Sequence, residues 1–314
     1  VTAAPPALLH AVGDRALSWL DANHERFRLT EEDRATGSGL VERLKPVGEL
    51  AVNMRVLARE GVAGSRQQAG AVRLLDFAWR DVLDGGNVLA GLQHQEPLSP
   101  VPLEIYASLH QLGHRHPGLE DAIDQARGTA SWRALEMPPN RRLGLLGAER
   151  ALGLVPSGDP AQALAATWLG RTPEPWTVQL HIAYDITHTV FHLTEWGAAP
   201  ERIPPRIADY LARYLPAWLA DWAELEHWDL LGELLVVDAC LPEPVLDAEL
   251  WQHYAAAQLP DGAMPVRGPL PDASPEEAFD QLHHPTLVAA FASAMATSRA
   301  MSGVTARPAD GTAA

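Results

Sequence analysis

The sequence predicts an all-α fold, and three observations predict it. Sustained alternation of apolar and polar residues is missing, and so is any Asn-Gly hairpin turn. Apolar residues instead recur at helical spacing along nearly the whole chain. Gly and Pro cluster where this pattern breaks: "DGG" at 84–86, "PLSPVP" at 97–102, "MPPN" at 137–140, "GRTPEP" at 170–175 and "LPEP" at 241–244.

Those breaks set the elements in order. Helices are expected at 5–27, 38–60 and 65–84, ending at the first break. Segments 101–114 and 117–135 fill the stretch between "PLSPVP" and "MPPN"; 140–154 and 160–170 lead to "GRTPEP". Segments 176–196, 202–224 and 228–241 run to "LPEP", and 245–258 follows it. A long Pro- and Gly-rich loop, 258–280, precedes the last helix, 284–302. Pro285 suits a first helical turn, which makes His284 the expected N-cap. Histidine caps poorly beside Ser, Thr, Asp or Asn, so its side chain is wanted for something else. Residues 1–302 then make a single domain, with a disordered tail at 303–314.

Three helices, opening near 176, 228 and 284, carry acids or histidines near their starts. The starts lie about 52 and 56 residues apart, with one plainer helix between each pair. That is the pattern of helical hairpins of about 50 residues. Closed on itself, such an array is an (α/α) toroid, in which the polar starts of the inner helices gather at one mouth of a central cavity. Left open, it is an α-solenoid with a groove.

Composition narrows the function classes. A net charge of −16 over 314 residues repels phosphate backbones, so nucleic acid is not an expected partner. No run reaches the roughly 18 apolar residues of a membrane helix. The opening "VTAAPPALLHAVGDRALSWL" lacks the basic start and apolar run of a signal peptide. Cys240 is the only cysteine, which excludes an internal disulfide and suits a reducing cytoplasm. No nucleotide-cofactor motif occurs. Oligomeric state is not readable.

The segment "HIAYDITHTVFH", 181–192, places His181, Asp185, His188 and His192 on a helical stripe about 60° wide. No Lys or Arg occurs between Arg171 and Arg202, as a solvated face would require. His and carboxylate at i, i+4, i+7 can chelate one ion, and imidazole with carboxylate suits Zn or non-haem Fe. His188 and Asp185 can equally act as a base and its orienting acid. In "HWDLLGELLVVDAC", 227–240, Asp229 and Glu233 share a face of an otherwise apolar helix; a buried carboxylate needs a metal, a histidine or a proton. The expected metal set is His181, Asp185, His188 and His284, with Asp229, Glu233 and His192 catalytic. Tyr184, Trp196 and Trp228 are expected to line the substrate pocket. Arg267, the only cation of the 258–280 loop, is the expected contact for an anionic substrate group.

"QLPDGAMP" at 258–265 with "HHPTLVAAFA" at 283–292 resembles the Q-x-x-D-G and His-Thr elements of α/α toroids of the terpene cyclase and protein prenyltransferase type. That resemblance implies the toroid. It also implies a zinc set of Asp238, Cys240 and His284, in the order of the prenyltransferase Asp-x-Cys…His ligands. The Asp-x-Asp-Asp motif of squalene-type cyclases is absent, as are the Gln/Trp repeats. "ITHTVFHLTEWG" at 186–197, with D-x-x-x-E-L-L at 229–235 and H-x-T-L-V at 284–288, resembles an uncharacterised bacterial family, a domain of unknown function met in specialised-metabolite contexts. It implies His188, Asp229, Glu233 and His284 as shared polar positions, and no reaction.

The expectation is a small-molecule enzyme with a metal or acid–base centre in a helical cavity. A non-catalytic helical scaffold and a metal-free cyclase are the alternatives.

Overall fold

The computed structural model describes residues 2–31, 33, 37–61, 63–268 and 274–306. Among them the chain is helical throughout and forms no sheet; a single isolated bridge joins Ala3 to Asp247. In order the helices are α1 (Pro6–Ala22), α2 (Gly37–Glu60), α3 (Arg66–Phe77), α4 (Asn87–Gln95), α5 (Val101–His110), α6 (Pro117–Arg127), α7 (Ala130–Arg133), α8 (Pro139–Ala151), α9 (Pro160–Ala166), α10 (Trp168–Arg171), α11 (Leu180–Leu193), α12 (Pro205–Glu224), α13 (Trp228–Cys240), α14 (Ala248–Ala257) and α15 (Pro275–Ala306).

Six of them close a ring. α2 packs on α5, α5 on α8, α8 on α11, α11 on α13, α13 on α15, and α15 returns to α2. Side-chain pairs fix their direction. Asn140 and Arg150 of α8 meet Asp185 of α11 and Glu195 just beyond it. Tyr184 meets Asp229, and Thr194 meets Cys240. Asp229 meets His284, and the Leu241 carbonyl meets Arg299. Glu49 meets His284, and Arg59 meets Met295. Gly48 faces Ile105 of α5, and Arg55 meets Gln111 just beyond it; both sequence numbers rise together in each of these pairs, so the inner helices run parallel. The array is therefore a closed toroid, and the open solenoid is excluded.

The remaining helices lie outside. α1 covers α15, α3 covers α2, α9 and α10 cover α8 and α11, and α12 and α14 cover α13. Every residue of α13 is buried as a result, its three acids Asp229, Glu233 and Asp238 included. The N-terminus is stitched to α14 by Ala4 N–H to Leu246 O at 2.7 Å and Ala248 N–H to Thr2 O at 2.9 Å. No helix among the described residues is long and apolar enough to cross a membrane.

The sequence reading misses α4, which follows the "DGG" turn at once; Gly85 and Gly86 take positive φ (61° and 99°) and let one helix leave where another ends. It also misplaces the start of α15. The helix begins at Pro275 and runs through Pro285, so His284 is mid-helix and caps nothing. The N-terminal signal is "SPEE": Glu277 N–H donates to Ser274 Oγ, and Ser274 N–H donates to the Glu277 carboxylate at 2.9 Å, a reciprocal capping box. α15 also continues to Ala306, past the expected start of the tail; residues 307–314 lie outside the described set.

Candidate metal centre and cavity

Asp229 and Glu233 stand at i, i+4 on α13 and reach into the ring. His284 approaches from α15 and Glu49 from α2. The His284 ring joins all three acids: Nδ1 lies 3.1 Å from Glu49 Oε2, and Nε2 lies 3.5 Å from both Asp229 Oδ1 and Glu233 Oε1. One ligand atom each from Asp229, Glu233 and His284 falls within 4.8 Å of the others, so the group can hold a metal ion.

The outer atoms of these side chains have their own partners. Tyr184 donates to Asp229 Oδ2 at 2.5 Å, and Thr187 donates to Glu233 Oε2. Glu49 Oε2 faces His284 Nδ1 at 3.1 Å, an ion-pair contact without hydrogen-bond geometry. What remains faces inward: Asp229 Oδ1, which accepts no hydrogen bond, Glu233 Oε1 and His284 Nε2. Buried carboxylates elsewhere are saturated. Glu149 accepts from Arg127, Trp132 and the Ser157 N–H. Asp238 accepts from the Val245 and Leu246 N–H groups at 3.0 and 2.8 Å.

Electrostatics follow from that packing. Burial pushes the Asp229 carboxyl above its usual range, opposed by His284. Burial acts the same way on Glu233, but His188, His284 and Thr187 outweigh it and hold that pKa down. Burial disfavours charge on His284, yet Glu49, Glu233 and Asp229 outweigh it and raise its pKa well above the ordinary value. Burial and the Asp229 charge both raise the Tyr184 hydroxyl, which keeps its proton and donates.

Beside the cluster lies a cavity of about 480 Å³, bounded by α2, α5, α8 and α11. Glu49 and His188 line it and join it to the acids behind them. His188 Nδ1–H donates to the Tyr184 carbonyl at 2.7 Å, which leaves Nε2 as the acceptor. Further along α11 come His192 and Trp196. α8, packed beside α11, contributes Gly147, Ala148 and Ala151, small residues on one helical face that leave space open, while Gly144 makes room for the His192 ring.

Of the expected metal set, the structure brings only His284 to this group, with His188 at its edge, 3.8 Å from Glu233. His181 is exposed, and Asp185 turns to α8, where Asn140 donates to it at 3.0 Å. Asp229 and Glu233 act as candidate ligands. Trp196 is in the cavity; Trp228 instead packs on His253 of α14 at 5.1 Å between ring centres. Arg267 is exposed at the rim near His227, outside the cavity lining. The implied Asp238–Cys240–His284 zinc set does not form. Asp238 serves the turn after α13, and Cys240 is buried against Thr194 with its thiol pKa pushed up to about 12 by burial. The "QLPDGAMP" element is structural: Gln258 donates to Val12 O and Gly262 O, and Met264 N–H donates to Thr286 Oγ1, tying α14, α1 and α15 together.

Sequence reasoning missed Glu49, although a signal was there. "GELAV" at 48–52 nearly repeats "GELLV" at 232–236, and both place an acid on His284.

A family model described as a domain of unknown function, DUF6895, matches residues 13–294. No curated protein and no solved structure matches the chain.

Proposed function

The chain belongs to this family of unknown function, and from its geometry we propose that it is an enzyme that processes a small molecule in the toroid cavity, with one zinc or iron ion held by Asp229, Glu233 and His284. A single observation carries the reading. Three inward atoms converge, and the outer atoms of their side chains are engaged, Asp229 and Glu233 by hydrogen bonds from Tyr184 and Thr187 and His284 by ion pairing with Glu49. Outer partners of this kind orient metal ligands and fix the histidine tautomer. Ligands on a tetrahedral zinc sit about 3.4 Å apart at ordinary bond lengths, close to the 3.5 Å separations at His284 Nε2. Three protein ligands leave a position for water or substrate.

Such an ion supplies Lewis-acid polarisation of a carbonyl or lowers the pKa of a water. The chain's own groups do the rest. Tyr184 and Thr187 hold the carboxylates in place. His188 offers Nε2 as a proton acceptor on the cavity side. Val52, Ile105, Ala148 and Ala151 give the cavity an apolar side. The specialised-metabolite setting rests on the sequence resemblance alone.

Protein purified without chelators or a His-tag should carry about one equivalent of Zn or Fe. Asp229→Asn and His284→Ala should each lose it and remain folded. Protein that takes up neither ion on exposure, with an unchanged melting temperature, would sink the metal reading. The second reading is a metal-free acid–base centre, favoured by the three acids that stabilise a protonated His284.

A further inference from the structure

Arg55 of α2 lines the cavity, six residues beyond Glu49. Its Nη1 donates to Gln111. Its Nε is buried with no hydrogen-bond partner, and Nη2 donates to no group among the described residues. Nearby acids are already engaged. Glu195 is shared by Arg150 and Arg202, and Glu60 is held by Arg59 at 2.6 Å. Among the described residues no carboxylate pairs with Arg55. Glu195 acts on Arg55 from a distance without pairing with it, so the half-buried guanidinium has room for the charge of an anionic ligand. Burial and the neighbouring Arg59 lower its pKa to about 10, which still leaves it cationic at neutral pH.

Nε is sealed off by protein, so the terminal Nη2 is the donor left for a carboxylate in the cavity. Glu49 and Arg55 are six residues apart on one helix, a rise of about 9 Å. Between them the cavity is walled by Val52, Ile105 and the small face of α8.

We propose that the substrate is a carboxylate with an apolar body, its carboxylate seated on Arg55 and its reacting carbon about 9 Å away, beside Glu49 and His188. This deepens the preceding reading and rests on it for the reacting end only. Arg55 here takes the role that the sequence suggested for Arg267.

Binding without turnover tests the anionic end. Decanoate, decyl phosphate, decylamine and decanol are titrated calorimetrically into the wild-type protein, Arg55→Gln and Arg55→Lys. Wild type should bind decanoate at least about tenfold more tightly than decanol. Arg55→Gln should lose that preference and keep decanol binding; Arg55→Lys should keep part of it. An Arg55→Gln protein that still prefers decanoate overturns the proposal. So does wild type that binds decylamine or decanol as tightly, and this comparison stands even if Arg55→Gln does not fold. Tighter binding of decyl phosphate than of decanoate overturns the carboxylate assignment. Asp229→Asn separates the two ends: decanoate binding that survives there, with no metal in wild type, sinks the metal reading and leaves Arg55 as the anchor.

Discussion

Glu233 is fully enclosed, and its two oxygens face different partners: Thr187 on one side and His284 on the other. Glu233→Gln keeps the shape and removes the charge. We expect it to lose the metal and, at ion concentrations about a hundredfold above Kd, roughly 2.7 kcal/mol of stability, read by urea titration with and without the ion. Equal stability and metal content in the variant would take Glu233 out of the centre. His192 makes a separate prediction. Burial, with His188 nearby, lowers its pKa from 6.5 to about 3, so the folded protein holds it neutral. The unfolded chain protonates first, so this stability is present above pH 6.5 and drains away as pH falls towards 3. About 3 kcal/mol should be lost by about pH 4, and His192→Gln should lack that part of the acid transition. The residues legible in advance were those whose chemistry conflicts with their surroundings: two acids in an apolar helix and a histidine in a poor capping position. His181 and Asp185 misled because a helical wheel gives a face but not the neighbour it meets. One edge of the stripe turned to α8, the other to α13.

At the scale of the element, α8 makes the cavity by what it omits. A side chain at Gly147 would meet nothing closer than the His192 carbonyl at 3.8 Å. Gly147→Leu should therefore fold with equal or slightly higher stability, since leucine favours helix over glycine by about 0.8 kcal/mol. It should also fill the cavity and weaken decanoate at least about tenfold. Unchanged binding would place the ligand elsewhere. Gly232 in α13 is the opposite case. A Cβ there would fall 2.3 Å from the Tyr254 hydroxyl and 2.8 Å from Val288. Gly232→Ala should destabilise by about 2 kcal/mol through overpacking, measurable as a lower urea midpoint. Periodicity revealed most of the elements. It failed at Pro285, where proline reads as a start although it can also sit inside a long, well-packed helix.

For the molecule as a whole, the hairpin spacing was legible from the residues, and closure only through the resemblance to α/α toroids. Spacing is local, whereas closure depends on α15 reaching α2, across most of the chain. A closed ring has no end repeat to fray. Heat unfolding followed by far-UV dichroism and by tryptophan fluorescence should coincide in one transition. A chain stopped at residue 268, without α15, should lack near-UV dichroism altogether. An open array would retain native packing in the remaining repeats.

Synthesis gives that closure a direction in time. Of the six ring helices the one that seals the ring is made last, while α13, buried along its whole length in the finished fold, is made earlier. On the ribosome the nascent chain therefore carries an uncovered apolar wall until α15 emerges, the kind of surface that chaperones bind and that aggregates when they are scarce. His284 arrives with the same helix. Neither the closed ring nor the Asp229–Glu233–His284 group exists on a chain that lacks α15.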